Sequence, residues 1–274
     1  VPELPEVEVL RRSLAPHLTG DTVERIEVWN RALREPVEPV RLRRAAVGRR
    51  VIALRRRAKF LLIDLEGGST VIVHLGMSGR LTLAAGDEPR EPHEHLAFHL
   101  RSGRRLRLRD PRRFGVVLSR PTASLARDPH FAHLGAEPLE AGFSGAVLAA
   151  AAQGRRGPVK AFLMDGRVVV GIGNIYASEA LYRAGVDPRR SVARIAAQRW
   201  DSLAAAAVQV LASAIEQGGT TLNDFADGEG NSGYFQVSLA VYDREGEPCP
   251  ACGAPVRRIV QAGRSTYFCP RCQR

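Results

Sequence analysis

The chain has 274 residues, 45% of them hydrophobic and 25% charged, with a formal net charge of +11 and a pI near 10.4. That length allows one large or two ordinary domains with ample core, and the composition excludes a disordered or fibrous chain. Val7, Val9 and Leu10 are interleaved with charge, which excludes an early signal peptide or membrane span and makes a cytoplasmic location with no membrane partner the expectation.

In chain order, residues 5–14 read as a helix. Pro5 suits its first position, and Val7, Leu10 and Leu14 share one face. From about residue 22 to 120 the pattern is mostly strands, with short apolar runs at 51–54, 60–63, 70–73 and 96–99 and a strict Leu/Arg alternation at 106–109. Short strands separated by Gly, Asp and Arg clusters predict a sandwich or flattened barrel, and the alternation predicts one buried face and one arginine face. Residues 121–143, with three prolines and two glycines, read as an interdomain linker. Helices are expected at 144–153, 174–184 and 197–217, the last closed by Gly218-Gly219. The polar, glycine-rich stretch 219–236 reads as a mobile loop of the kind that often serves as a lid. The expected domains are 1–133, a linker at 134–143, a helical domain at 144–238 and a C-terminal module at 239–274.

The basic excess points to a polyanionic partner, most often nucleic acid. Part of it reflects composition bias: of 40 basic residues two are lysines, Lys59 and Lys160, which leaves 38 arginines. Where nearly every cation is Arg, a surviving Lys marks a place where a compact ammonium serves and a planar fork does not.

The chain opens Val1-Pro2-Glu3-Leu4-Pro5-Glu6. If Val1 is an initiator residue that is removed, the ring nitrogen of Pro2 becomes a free secondary amine able to attack a sugar aldehyde carbon and form an iminium. Its unperturbed pKa of roughly 7.7–8.0 leaves a useful fraction unprotonated at neutral pH. While Val1 stays attached that nitrogen is an amide without nucleophilicity. Val1 is expected to record a GTG start codon, translated as Met and removed ahead of Pro. Glu3 beside this amine suits a proton shuttle; alternatively, Glu3 and Glu6 only complement the helix dipole.

All four cysteines lie near the C-terminus, as Cys249-Pro-Ala-Cys252 and Cys269-Pro-Arg-Cys272. Paired CxxC units at that separation can place four thiolates around one zinc. Two disulfides or a redox pair are the alternatives, and a cytoplasmic chain with no other cysteine makes both poor. Four thiolates leave no open position, so the zinc is expected to be structural, pinning a hairpin that turns near Ala262-Gly263 and carries Arg257, Arg258 and Arg264. His74–Gly79 and Asp110–Gly115 read as strands running into turns that hold out Met77, Arg112 and Phe114, side chains able to wedge a duplex and fill the gap of an extruded base; taken singly, a lone Met or Phe is more often core. Val168–Asn174 runs into a helix N-terminus that could seat a phosphate.

Together these residues resemble the bacterial formamidopyrimidine-DNA glycosylase family. The likeness is carried by the Pro2–Glu8 opening, Arg57-Ala58-Lys59-Phe60, His74–Gly79, Asp110–Gly115, Val159–Asp165, Gly173–Glu179 and the four cysteines, in order along essentially the whole chain. It implies an α+β fold: a two-layer β-sandwich with an N-terminal helix, a helical domain with a helix–two-turn–helix motif, and a C-terminal zinc-finger hairpin, with damaged duplex DNA running through a cleft. It further implies a nucleoid-associated monomer that acts as a glycosylase and AP lyase on oxidised purines. Pro2 is then the Schiff-base nucleophile and Glu3 the general acid/base, with Lys59 and Arg264 assisting the chemistry. Met77, Arg112 and Phe114 fill the void, while His93, Lys160, Asn174 and Arg264 contact DNA, and the 219–236 loop closes on the flipped base. The sister endonuclease VIII class, which prefers oxidised pyrimidines, usually opens Pro-Glu-Gly-Pro; Leu4, Met77 and Phe114 argue against it. A non-catalytic DNA-binding protein using the zinc hairpin and arginine faces is the other alternative.

Overall fold

The structure, a computed structural model, describes residues 2–219 and 239–274. Among these, residues 2–132 with 217–219 form one compact unit, and residues 133–216 with 239–274 form a second. Among the described residues no helix is long and apolar enough to cross a membrane.

The first unit opens with α1 (Leu4–Leu18), which extends past the expected end although Pro16 lies inside it. Leu4, Val7, Leu10, Leu14 and Leu18 are each at most 1% exposed, a stripe at i, i+3 and i+4 spacing that binds the helix to the sandwich. There follow β1 (Val23–Val28), α2 (Pro39–Ala46), β2 (Val51–Arg57), β3 (Phe60–Leu65), β4 (Ser69–His74), β5 (Arg80–Ala85), β6 (Glu94–Leu100), β7 (Arg104–Arg109) and β8 (Val116–Pro121). α2 interrupts a region expected to be strands: Pro39 starts it, and Leu42 and Ala46 bury one narrow face one helical turn apart. Two four-stranded antiparallel sheets, ordered β1-β6-β7-β5 and β2-β3-β4-β8, face each other across a core that includes Ile26, Phe98 and Leu108 from one and Leu61, Ile63 and Val73 from the other. This is the expected two-layer sandwich.

Antiparallel order decides what meets at the sheet ends. Phe60 pairs with His74, and His74 pairs with Val116. The Ala58-Lys59 turn before β3, the 75–79 turn after β4 and the 110–115 turn before β8 therefore share one end of one sheet. In the other sheet Glu94 pairs with Arg109, which brings His93 to the same 110–115 turn, where Asp110 N–H donates to His93 O at 3.0 Å. Arg11 donates to Leu54 O, and Glu8 pairs with Arg56 at 3.5 Å, so α1 runs antiparallel to β2 with its N-terminus toward the Ala58-Lys59 turn. The arginine face of β7 is partly neutralised: Arg107 pairs with Glu91 at 2.7 Å and Glu88 at 3.3 Å, and Arg109 lies 3.7 Å from Glu91.

The second unit contains α3 (Gly145–Ala152), α4 (Val159–Leu163), α5 (Asn174–Arg183), α6 (Ala197–Glu216), β9 (Arg257–Gln261) and β10 (Arg264–Phe268). The stretch 134–143 is tied into it, with Gly135 and Ala136 donating to Gly166 O and Val168 O. The β9–β10 hairpin turns on Ala262 and Gly263, both at positive φ (48° and 73°), as a two-residue I′-type turn requires. Glu179, 5% exposed, accepts the amides of Ala240, Val241 and Tyr242 at 2.9, 3.0 and 2.8 Å and so fastens the strap leading into the cysteine module to α5. Glu179→Gln keeps one acceptor oxygen but puts its amide NH2 against at least one of those N–H groups, and should cost roughly 1–3 kcal/mol. Urea unfolding of the zinc-loaded protein at wild-type stability would contradict this.

Candidate active site and metal centre

Glu3 is the N-cap of α1, in extended conformation (φ −101°, ψ −165°). Its amide donates to Glu6 Oε2 at 2.8 Å, and its own carboxylate accepts the Glu6 amide. This reciprocal capping box, on carboxylates 3% and 1% exposed, satisfies helix-end donors that would otherwise be orphaned. Pro2, directly before it in the chain, is buried. The dipole reading of the two acids is thus part of the geometry, and it places Glu3 one residue from the candidate amine.

The turns carrying Met77, Arg112 and Phe114 are held together by a residue that no local pattern singles out. Asp110 is 0% exposed. Its Oδ1 accepts from Ser78 Oγ at 2.7 Å, and its Oδ2 accepts from Gly115 N–H at 2.8 Å. Ser78 Oγ in turn accepts from Arg112 N–H at 3.2 Å, while His95 Nε2 lies 2.7 Å from Asp110 O. Gly76 lets the turns touch: at its φ of +65° a Cβ would lie 2.4 Å from the Phe114 carbonyl carbon. Phe114 is 41% exposed with the Arg112 guanidinium 4.8 Å from its ring centroid. Met77 is half-buried at the turn apex, and His93, at positive φ, is exposed beside them.

Lys59, half-buried, follows Ala58, which adopts φ 53°, a left-handed value that costs a non-glycine residue free energy and recurs at functional sites. Phe60 then packs on His74 with centroids 4.8 Å apart. His74 Nδ1 accepts from Gly76 N–H at 3.0 Å. Burial, with the nearby positive charges of Lys59, Arg34 and His130, holds the His74 pKa down to about 4; a neutral ring is what its acceptor role requires.

In the second unit, Lys160 is 2% exposed and donates to Asn174 Oδ1, Thr266 Oγ1 and Ser265 O at 2.6, 2.7 and 3.2 Å. Asn174, the first residue of α5, also donates to Ser265 O at 2.9 Å. Lys160 thus ties the start of α5 to β10, whose first residue, Arg264, is exposed just past the turn. The Sγ atoms of Cys249, Cys252, Cys269 and Cys272 lie within 4.8 Å of one another, with the 249–272 and 252–269 pairs 3.9 and 3.5 Å apart. A zinc–sulfur distance near 2.3 Å gives a tetrahedron of edge roughly 3.8 Å, whereas a disulfide needs about 2.05 Å.

Family models match in three consecutive segments: the formamidopyrimidine-DNA glycosylase N-terminal domain over residues 1–117, the formamidopyrimidine-DNA glycosylase H2TH domain over 134–226, and a zinc finger found in FPG and IleRS over 246–274. The formamidopyrimidine-DNA glycosylases of Halorhodospira halophila and Alteromonas mediterranea are 52% and 49% identical, each covering 100% of both chains. The chain belongs to the formamidopyrimidine-DNA glycosylase family. The crystal structure of the MutM (Fpg) protein from Thermus thermophilus superposes with a TM-score of 0.88 at 42% identity over 99% of this chain and 98% of that one. Lactococcus lactis Fpg, solved in complex with DNA containing an abasic site, gives 0.92 at 30% identity over 99% of both chains.

Within this glycosylase family the four sulfurs fit one structural zinc, and Tyr182 Oη, 3.2 Å from Cys249 Sγ, supplies an outer hydrogen bond to a ligand. The residues missed by sequence reasoning are Asp110, Ser78, His74 and Glu179: all four stand inside the motifs singled out above, but Asp110 meets Ser78 across 32 residues and Glu179 meets Ala240 across 61, and the task of His74 shows only in its packing on Phe60 and its bond to Gly76. The proposed loop at 219–236 lies, from residue 220 on, outside the described residues, as does Val1. Metal analysis should return one zinc per chain, and chelation should unfold the 249–272 hairpin; a full complement of folded hairpin without metal would contradict the assignment. A second outcome concerns acid stability. Because the folded pKa of His74 lies below its unfolded value of about 6.5, the unfolded chain takes up the proton first and stability falls as pH drops from there toward 4. His74→Asn, which keeps an acceptor for Gly76, should remove up to about 3 kcal/mol of that loss. Urea unfolding at pH 7 and pH 4.5 reads it, and an unchanged acid limb would count against a buried neutral His74.

Proposed function

We propose that the chain is a bifunctional DNA glycosylase/AP lyase that excises oxidised purines, 8-oxoguanine and formamidopyrimidines, from duplex DNA through a Schiff base on Pro2. The observation that carries this reading is the buried Pro2–Glu3 pair fixed at the N-terminus of α1. Family membership and the Lactococcus lactis relative solved with Fapy-dG DNA support the substrate class.

With the preceding residue removed, the Pro2 nitrogen attacks C1′ of the extruded nucleotide, and the bond from C1′ to the base breaks as the base leaves with a proton. Sugar-ring opening delivers a proton to O4′, a transfer assigned to Glu3, and leaves an iminium between C1′ and Pro2. Loss of a C2′ proton then expels the 3′ phosphate, and a second elimination expels the 5′ phosphate. The positive end of α1 disfavours the protonated amine by about 0.3–1 kcal/mol, which helps keep Pro2 nucleophilic. Zinc takes no part in these steps.

In this proposal Lys59 and Arg264 assist the eliminations. Met77, Arg112 and Phe114 fill the space of the departed base, and His93 and Asn174 contact DNA. Lys160, buried as it is, serves by holding Asn174 and β10 in place. The enzyme works as a cytoplasmic, nucleoid-associated monomer.

Borohydride added during reaction with an 8-oxoguanine:cytosine duplex should reduce the iminium to a stable protein–DNA adduct, and a non-catalytic binder gives none. Pro2→Gly should cut adduct formation severely with lesion binding retained. Glu3→Gln should slow base excision by roughly 10²–10⁴-fold with duplex affinity kept. Faster cleavage of thymine glycol than of 8-oxoguanine would favour the sister pyrimidine-directed class.

A further inference from the structure

The 30–37 loop joins β1 to α2 and is held at both shoulders by buried side chains, Leu33 (7% exposed) and Val37 (0%). Between them stand Arg34 and Glu35. The Arg34 amide donates to Gly115 O at 3.1 Å, so the loop braces the far end of the turn that carries Arg112 and Phe114. Glu35 reaches elsewhere: its Oε1 lies 2.7 Å from His130 Nε2.

His130 is itself fixed from behind. Asp128, 6% exposed, accepts from the His130 amide at 2.9 Å and meets Nδ1 at 2.6 Å with the same Oδ1, while its Oδ2 accepts from Arg120 Nε at 2.8 Å. The ring packs edge-on against Phe60, with centroids 5.9 Å apart, directly after Lys59. Each ring nitrogen faces a carboxylate oxygen. Two acceptors require two N–H donors, so the geometry is that of an imidazolium.

We propose that Glu35, His130 and Asp128 form a proton-dependent clip that positions the Arg112–Phe114 turn through the Arg34–Gly115 bond. The inference rests on the wedge role proposed for that turn. It adds a charge-assisted tether where an ordinary exposed ion pair contributes little, because Asp128 and Arg120 pre-orient the ring toward Glu35.

The groups facing His130 are Asp128 with Arg120 behind it, Glu35 from the loop, and His74, which also packs on Phe60 and is itself acted on by Lys59 and Arg34. Burial works against the charged ring, but the bonds and charges of Glu35 and Asp128 prevail and raise the His130 pKa. With its folded value above the unfolded one of about 6.5, the clip is complete below that pH and is lost as pH rises through the raised value. His74, its pKa depressed to about 4, stays neutral across that window and does not oppose the clip.

Hydrogen exchange on the protein alone tests the tether without any substrate. At pH 6.5, Glu35→Gln and His130→Gln should each speed exchange in peptides 30–37 and 110–116 by roughly three- to tenfold, and the difference from wild type should vanish at high pH. Equal exchange at both pH values overturns the clip. In single-turnover excision of 8-oxoguanine, Glu35→Gln should shift the alkaline limb to lower pH, and an unmoved profile overturns its role in positioning. Borohydride trapping on a pre-formed abasic site separates the two proposals. If wild type fails to trap, the enzymatic reading fails; if it traps while exchange is unaffected, only the clip fails.

Discussion

The reciprocal bonding of Glu3 and Glu6 at the start of α1 is the constraint from which the proposed chemistry follows. An N-terminal residue is ordinarily the least ordered part of a domain. Here the amide of Glu3 is bonded to the Glu6 carboxylate, the helix behind it is sealed by a continuous leucine and valine stripe, and the chain leaves the helix extended at Glu3. Pro2, itself buried, directly precedes this cap. The carboxylate proposed to move protons is held by a backbone amide of the same helix, so amine and acid are oriented by one element rather than by two that must be brought into register.

The second constraint is topological. Antiparallel pairing in the order β2-β3-β4-β8 brings three chain segments, separated by up to about fifty residues, to one sheet end. Asp110 then converts proximity into fixed geometry, because a fully buried carboxylate must have its oxygens satisfied and the donors available are Ser78 and Gly115. The side chains that protrude are therefore displayed by backbone whose own polar groups are occupied. The same design recurs in the second unit, where buried Lys160 spends its donors on Asn174 and β10, and Glu179 gathers three consecutive amides.

Much of this was legible locally. The α1 stripe, the strand alternation, the Ala262-Gly263 turn and the CxxC pairs are short-range patterns, and each produced the element expected from it. Three features were not legible. α2 hides among arginines, since a helix burying two residues leaves almost no periodic signal. The arginine face of β7 was legible as a face, but not its pairing with Glu88 and Glu91 from the loop before β6. Lys160 stood out by composition as a rare lysine, but whether it meets solvent or protein depends on β10, about a hundred residues away. Likewise nothing near Asp110 announces Ser78, and nothing near Glu35 announces His130, 95 residues on. What sequence conveys poorly is the identity of long-range polar partners, and those decide which charges remain available.

The central claim is that catalysis passes through the ring nitrogen of residue 2. The most direct measurement is peptide mapping by mass spectrometry of the reduced protein–DNA adduct, after nuclease digestion to a residual sugar tag. The account predicts a chain beginning at Pro2 with the tag on that residue. A tag on Lys59, or an active enzyme whose first residue is still joined to Pro2, would contradict it.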